Sequence, residues 1–113
     1  MNSSEGLGFI PAIRPPPPIP GGFFVYLLLC ANGTFYVGST NDVPRRLQQH
    51  QSGTGARHTR DNLIMRLVHT EGPFSQMMAV RRERQIKKWT RAKNEALIQG
   101  DRWRLQHLSQ SHD

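Results

Sequence analysis

The chain has 113 residues, enough for one domain and too few to enclose a large organic cofactor. No apolar run approaches the roughly 18 residues of a membrane-spanning helix, and a single cysteine, Cys30, excludes an intrachain disulfide and leads us to expect a cytoplasmic protein. Lys and Arg number 15 against 8 Asp and Glu, a formal net charge of +7, which favours a polyanionic partner because phosphate neutralisation releases counterions.

Residues 1–22 hold six of the eight prolines and no net charge. Such a segment is expected to be a disordered or polyproline-II tail, either passive or a dock for a proline-binding protein partner. The folded domain is expected over residues 23–100, with 101–113 as a C-terminal extension, partly helical or frayed. Phe23–Cys30 reads as a strand and Ala31-Asn32-Gly33 as a hairpin turn. Residues 34–38 form the return strand. Asn41 or Asp42 caps a helix with Pro44 in its first turn, running to about residue 51. A loop rich in Gly, Thr, Arg and His follows, over 52–60. Residues 63–69 read as a third strand. Ser75 caps a longer helix to about Trp89, and Thr90 caps another, Arg91–Gln99, closed by Gly100. The order predicts an α+β fold, a small three-stranded antiparallel sheet flanked by helices.

The hairpin register decides which side chains share a face, because strand periodicity is two. A two-residue Asn32-Gly33 turn puts Tyr26 and Tyr36 on opposite faces. A three-residue loop with Gly33 left-handed pairs Cys30 with Thr34, Leu28 with Tyr36 and Tyr26 with Gly38. That second register is preferred. It leaves one face wholly apolar (Phe23, Val25, Leu27, Leu29, Phe35, Val37) and one mixed (Phe24, Tyr26, Leu28, Cys30, Thr34, Tyr36, Gly38).

Two phenols then sit together, with Gly38 leaving a gap over Tyr26. Arg46 and His50 lie four apart on one face of the next helix, beside its apolar stripe. An arginine next to phenols suits a phosphodiester, since its fork binds phosphate oxygens in pairs. Taken singly, each of these groups is also an ordinary strand tyrosine or solvated charge. Residues 81–93 carry seven basic side chains and one acid, Glu83. Helical spacing puts Met78, Ala79, Ile86 and Trp89 on the buried arc, Arg82 snorkelling within it, and Arg81, Arg84 and Lys88 in solvent. Glu83 at the edge of that arc either pairs with Arg82 or Lys87, or is an oxygen ligand for a divalent cation. The histidines show no Cys/His metal spacing, and Gly53-Thr-Gly55 is too short for a dinucleotide fingerprint.

Taken in order, these residues resemble the GIY-YIG nuclease superfamily, in particular its small stand-alone bacterial members. The first motif stands as Phe24-Val25-Tyr26 and the second, ten residues on, as Tyr36-Val37-Gly38. Ser39-Thr40-Asn41-Asp42 and Arg45-Arg46 continue it as far as His50. Residues 53–60 with Thr59, then the helix from Ala79 through Glu83 to Trp89, complete the match, which covers about residues 23–100. Phe24 replaces the first glycine, and Ser39 stands where some members carry a lysine. Asn94 is a counterpart for an asparagine on a later helix.

The resemblance implies the same three-stranded sheet and a metal-dependent endonuclease acting on DNA in repair or recombination. Glu83 would bind one Mg²⁺ or Mn²⁺, Tyr36 would act as general base and Arg46 would hold the scissile phosphate. Tyr26 would orient the water and His50 would assist. Gly38, Ser39, Arg45, Arg57, His58, Thr59, Arg60, Lys87 and Lys88 would grip the nucleic-acid backbone. Branched or single-stranded DNA are both open as substrates. The alternative is a non-catalytic nucleic-acid-binding module on a degenerate nuclease fold. A decayed nuclease is expected to lose at least one of Tyr26, Tyr36, Arg46 and Glu83, and all four are present.

Overall fold

Eight apolar residues in succession make β1 (Phe23–Cys30) a strand buried on both faces, and everything else is arranged around it. The computed structural model describes residues 10–52 and 64–110. β2 (Phe35–Thr40) and β3 (Ile64–Phe74) pair antiparallel on either side of β1, in the order β2-β1-β3. Among the described residues there are four helices, α1 (Val43–Gln51), α2 (Gln76–Lys87), α3 (Arg91–Gln99) and α4 (Arg102–Gln110), the last packed on α3. This is the expected α+β architecture. No described helix is long and apolar enough to cross a membrane.

The turn after β1 has three residues. Cys30 N–H donates to Thr34 O at 2.9 Å, and Gly33 has φ +85°, a left-handed conformation that a side chain disfavours. Leu28 therefore pairs with Tyr36 and Tyr26 with Gly38. Val25, Leu27, Leu29 and Val37 face α2, where Ala79 and Ile86 complete a dry core. Phe24, Tyr26, Leu28 and Tyr36 face α1 through Val43 and Leu47.

Capping follows the sequence closely. Asp42 accepts from Arg45 N–H at 3.1 Å at the start of α1, Ser75 from Met78 N–H at 3.2 Å, and Thr90 from Lys93 N–H at 3.2 Å. Asp101 does the same for α4, accepting from Arg104 N–H at 3.0 Å. The extension after residue 101 is thus helical as far as Gln110.

Three expectations are corrected. Residues 10–22 are a strap and not a disordered tail. Ile10 is only 1% exposed and sits in the α2-side core, while Ile13 packs on the α1 side. Ile13 N–H donates to Leu67 O at 2.9 Å, and Arg66 Nη1 donates to Ile10 O at 2.7 Å. A polyproline-like backbone makes no internal hydrogen bonds, so its amides are available to a sheet edge. Second, β3 runs to Phe74, well past residue 69, because it follows β1 back to Phe23. An edge strand tolerates Pro73. Third, Met78 is 48% exposed, outside the core it was assigned to.

Arg82 does not snorkel. Its Nε and Nη2 bind Glu71 Oε1 and Oε2 at 2.7 and 3.0 Å, and its guanidinium lies 5.0 Å from the Trp89 ring centre. His69 Nε2 is 2.9 Å from Glu71 Oε2. Burial alone would raise the Glu71 carboxyl, but hydrogen bonds from His69 and Arg82 and their charges outweigh it, holding it at about 2. A carboxyl lowered on folding stabilises above its unfolded value near 4.5 and loses that contribution as pH falls toward 2. Acid titration of the unfolding free energy should therefore show a drop between those pH values in the wild type. The drop should be visibly smaller in Glu71→Gln, and identical profiles would contradict the pairing.

Candidate functional site

Tyr26 comes from the middle of β1, Tyr36 from β2, and Arg46 and His50 from one face of α1. The register and the Asp42 cap together bring them to one place. The Tyr26 and Tyr36 ring centres are 6.3 Å apart, and His50 lies edge-on to both, at 6.0 and 5.1 Å. Tyr26 Oη is 3.0 Å from His50 Nε2. Tyr26 is 2% exposed, whereas Tyr36 is half-buried at the rim. A polar hollow of about 210 Å³ beside them is lined by Thr40, Asn41, Asp42, Arg45, Arg46 and Gln49.

Burial pushes the Tyr26 phenol well above its ordinary range; the Tyr36 and Glu83 charges push the same way, and Arg46 opposes them. Burial also lowers His50, with the Arg46 charge adding to it. At neutral pH both partners of the Tyr26–His50 hydrogen bond are therefore uncharged, and the imidazole tautomer decides which one donates.

Glu83 approaches from the other side of the sheet. Its helix, α2, packs on the dry face, and Ser39 Oγ donates to Glu83 Oε1 at 2.6 Å. Of the two expected ion-pair partners it is Lys87 that holds this carboxylate, its Nζ 2.6 Å from Oε2. Tyr36 and Glu83 thus lie on opposite faces of β2. Among the described residues β2 has only β1 as a sheet neighbour, so no strand pairs along its outer edge. A cation already rests on the Glu83 carboxylate, in the form of the Lys87 ammonium. Among the described residues no three His, Cys, Asp or Glu side chains gather into a ligand cluster. The donor chemistry fits a divalent ion held by one carboxylate, with water and phosphate oxygens as its remaining ligands.

The model of the GIY-YIG catalytic domain matches residues 22–96. The chain belongs to the GIY-YIG family. A UPF0213 protein of Halobacterium salinarum is 47% identical over 74 residues, which cover 66% of this chain and 96% of that one. Another, from Xanthomonas axonopodis pv. citri, is 42% identical over 89 residues, 79% of this chain and 86% of that protein. The solution NMR structure of an E. faecalis protein superposes with a TM-score of 0.50 at 36% identity, covering 70% of this chain and 84% of that chain.

Against the GIY-YIG pattern, Tyr26, Tyr36, Arg46 and His50 cluster on the α1 side of the sheet, and Glu83 reaches the same strand from behind. Ser39, expected on the nucleic acid, uses its hydroxyl to hold Glu83. Lys87, expected there too, is paired with that carboxylate. Lys88 stays exposed in a basic groove with Arg81, Arg84 and Lys93. Arg57, His58, Thr59 and Arg60 lie outside the described residues. The anchoring role of Ser39 had no signal of its own in the sequence, since its partner is 44 residues away.

Gly38 is required by contact. A Cβ there would lie 2.5 Å from Tyr26 Oη and 2.6 Å from its Cζ. Gly38→Ala should therefore displace Tyr26 from His50, at a cost of about 1–3 kcal/mol in stability. Chemical denaturation reads that loss, and a loss below about 0.5 kcal/mol would mean the ring can move aside freely.

Proposed function

We propose that the protein is a divalent-metal-dependent endonuclease that hydrolyses phosphodiester bonds in DNA, acting in repair or recombination. The observation that carries this reading is the arrangement around β2, with Tyr36 and Arg46 on one face and a cation-bound Glu83 on the other. A phosphodiester laid across this edge meets a phenol, a guanidinium and an anionic oxygen donor together.

The two phenols divide the work. Tyr26 is buried, held protonated and committed to His50, so it positions and does not exchange protons. Tyr36 is at the rim, where its oxygen, as phenolate once its own proton has passed to solvent, accepts a proton from the attacking water. The water oxygen forms the new bond to phosphorus, and the bond to the departing sugar oxygen breaks, that oxygen taking up a proton from solvent. Arg46 binds the phosphate oxygens as negative charge builds on them. Its charge acts on both Tyr26 and His50, so the guanidinium lies within electrostatic reach of the cluster. His50, neutral and in contact with both phenol rings, fixes the orientation of Tyr26 and packs against Tyr36. One Mg²⁺ or Mn²⁺ ion held by Glu83 would supply Lewis-acid stabilisation of the developing charge. The Lys87 ammonium must leave Oε2 for that, and from there it can meet a phosphate.

One gel panel tests the reading. Single-stranded, duplex and branched DNA and RNA are incubated with Mg²⁺, Mn²⁺ or EDTA. Cleavage of DNA is expected with metal and not with EDTA. Tyr36→Phe and Arg46→Ala should each lower the rate about 10²-fold or more. Binding without cleavage on every substrate would overturn the proposal in favour of a non-catalytic nucleic-acid-binding module.

A further inference from the structure

A groove of about 420 Å³ runs along the outer edge of β2, between that strand and α2–α3. It begins at Tyr36 and Lys87, so it is continuous with the candidate site, and it extends past Phe35, Trp89 and Arg91 to Asn94. Its volume is within the range of small-molecule sites. Three properties together define what it can hold.

The first is an unanswered polar group. Asn94 is 7% exposed, and its Oδ1 has no hydrogen-bond partner among the described residues. Burying an amide oxygen without a partner is costly, so the arrangement calls for a ligand donor. No partner holds the amide in one orientation, so a flip about its last torsion exchanges Oδ1 and Nδ2. With Oδ1 shielded from solvent, one amide group is offered at a time, so the side chain presents either a donor or an acceptor to one edge of a ligand.

The second is a flat cationic shelf. The Arg91 guanidinium lies 4.9 Å from the Phe35 ring centre, donates to Gly33 O and bonds Glu95 Oε2 at 3.2 Å. It is held as a plane, the surface on which a nucleobase stacks. The third is charge. Lys87 and Arg91 are the ionisable cations of the lining, and no carboxylate lies among the described lining residues. An apolar floor, a polar edge-reader and two cations match a nucleotide.

We propose that this groove is a subsite for the nucleobase flanking the scissile phosphate, and that the Asn94 amide reads the edge of that base. The proposal rests on the nuclease reading above and adds sequence preference at one position to it. An amide that presents a donor or an acceptor discriminates bases by the complementary group on their edge. Asn94 acts on specificity and takes no part in bond breaking.

The test uses a matrix of oligonucleotides carrying each of the four bases at each position beside one cleavage site. Wild-type cleavage should favour one base over the others at one flanking position by about tenfold. Asn94→Ala should abolish that preference, yet its melting temperature should equal or exceed wild type, because an unsatisfied buried amide is removed. A structural asparagine would give the reverse, a lower melting temperature with preference retained, and that result overturns the proposal. So does a wild type indifferent to base at every position.

Equilibrium binding of the same matrix to Glu83→Gln reads the groove without cleavage. A missing cleavage signal alone would sink the nuclease reading, while loss of base preference in this binding arm sinks the subsite. Free adenosine monophosphate competing as tightly as the oligonucleotide would point to a mononucleotide site and also overturn it.

Discussion

Glu83→Gln is expected to lower cleavage at least about 10³-fold while leaving the fold and nucleic-acid binding in place. The separation follows from what each carboxylate oxygen does. Oε1 accepts the Ser39 hydroxyl at 2.6 Å, and a Gln amide oxygen can keep that bond. Oε2 carries the Lys87 ammonium at 2.6 Å, an i,i+4 pair with a half-exposed lysine. Such a pair contributes only about 0.3–0.5 kcal/mol, so its loss does not unfold the protein. An uncharged amide cannot hold a divalent ion against water, and the stabilisation of the departing oxygen goes with it. Removing one negative charge from a phosphate-facing surface leaves affinity equal or higher. Single-turnover cleavage alongside a binding titration gives both numbers. Wild-type rates in the variant, or equal losses of binding and cleavage, would remove Glu83 from the chemistry.

Ile10→Ala is expected to cost about 3 kcal/mol of stability, a fall of roughly 10–20 °C in Tm for a domain of this size. Ile10 is 1% exposed and closes the core between the sheet and α2. The surrounding strap cannot collapse onto the space left behind, because Ile13 N–H and the Ile10 carbonyl are both tied to β3. The neighbouring Ile19 is exposed and serves as the control, with Ile19→Ala changing Tm little. Equal effects at the two positions would mean that the strap is peripheral.

Much of the site was legible before any coordinates. Parity alone places Tyr26 and Tyr36 together once Gly33 is left-handed, and residue type and spacing mark the caps Ser75 and Thr90 and narrow the first to Asn41 or Asp42. These are local features, decided within a few residues by backbone sterics and hydrogen-bond chemistry. The strap was not legible, because Ile10 and Ile13 stand among prolines with no helical or strand period to mark a buried face. Arg82 was misplaced for a related reason. Helical angle puts it near the apolar arc, but Glu71, eleven residues earlier on a strand that ran longer than expected, takes its guanidinium.

The sequence by itself determined the α+β order, the hairpin register and which candidate groups share a face of the sheet, all of which follow from short-range pattern. Only the tertiary structure decided that Glu83 and Tyr36 meet across an edge strand from opposite faces, that Ser39 and Lys87 serve Glu83, and that Asn94 Oδ1 finds no partner among the described residues. Each of those facts joins residues far apart in the chain. They are settled by how α2 and α3 pack on the sheet, where burial and pairing outweigh any local preference.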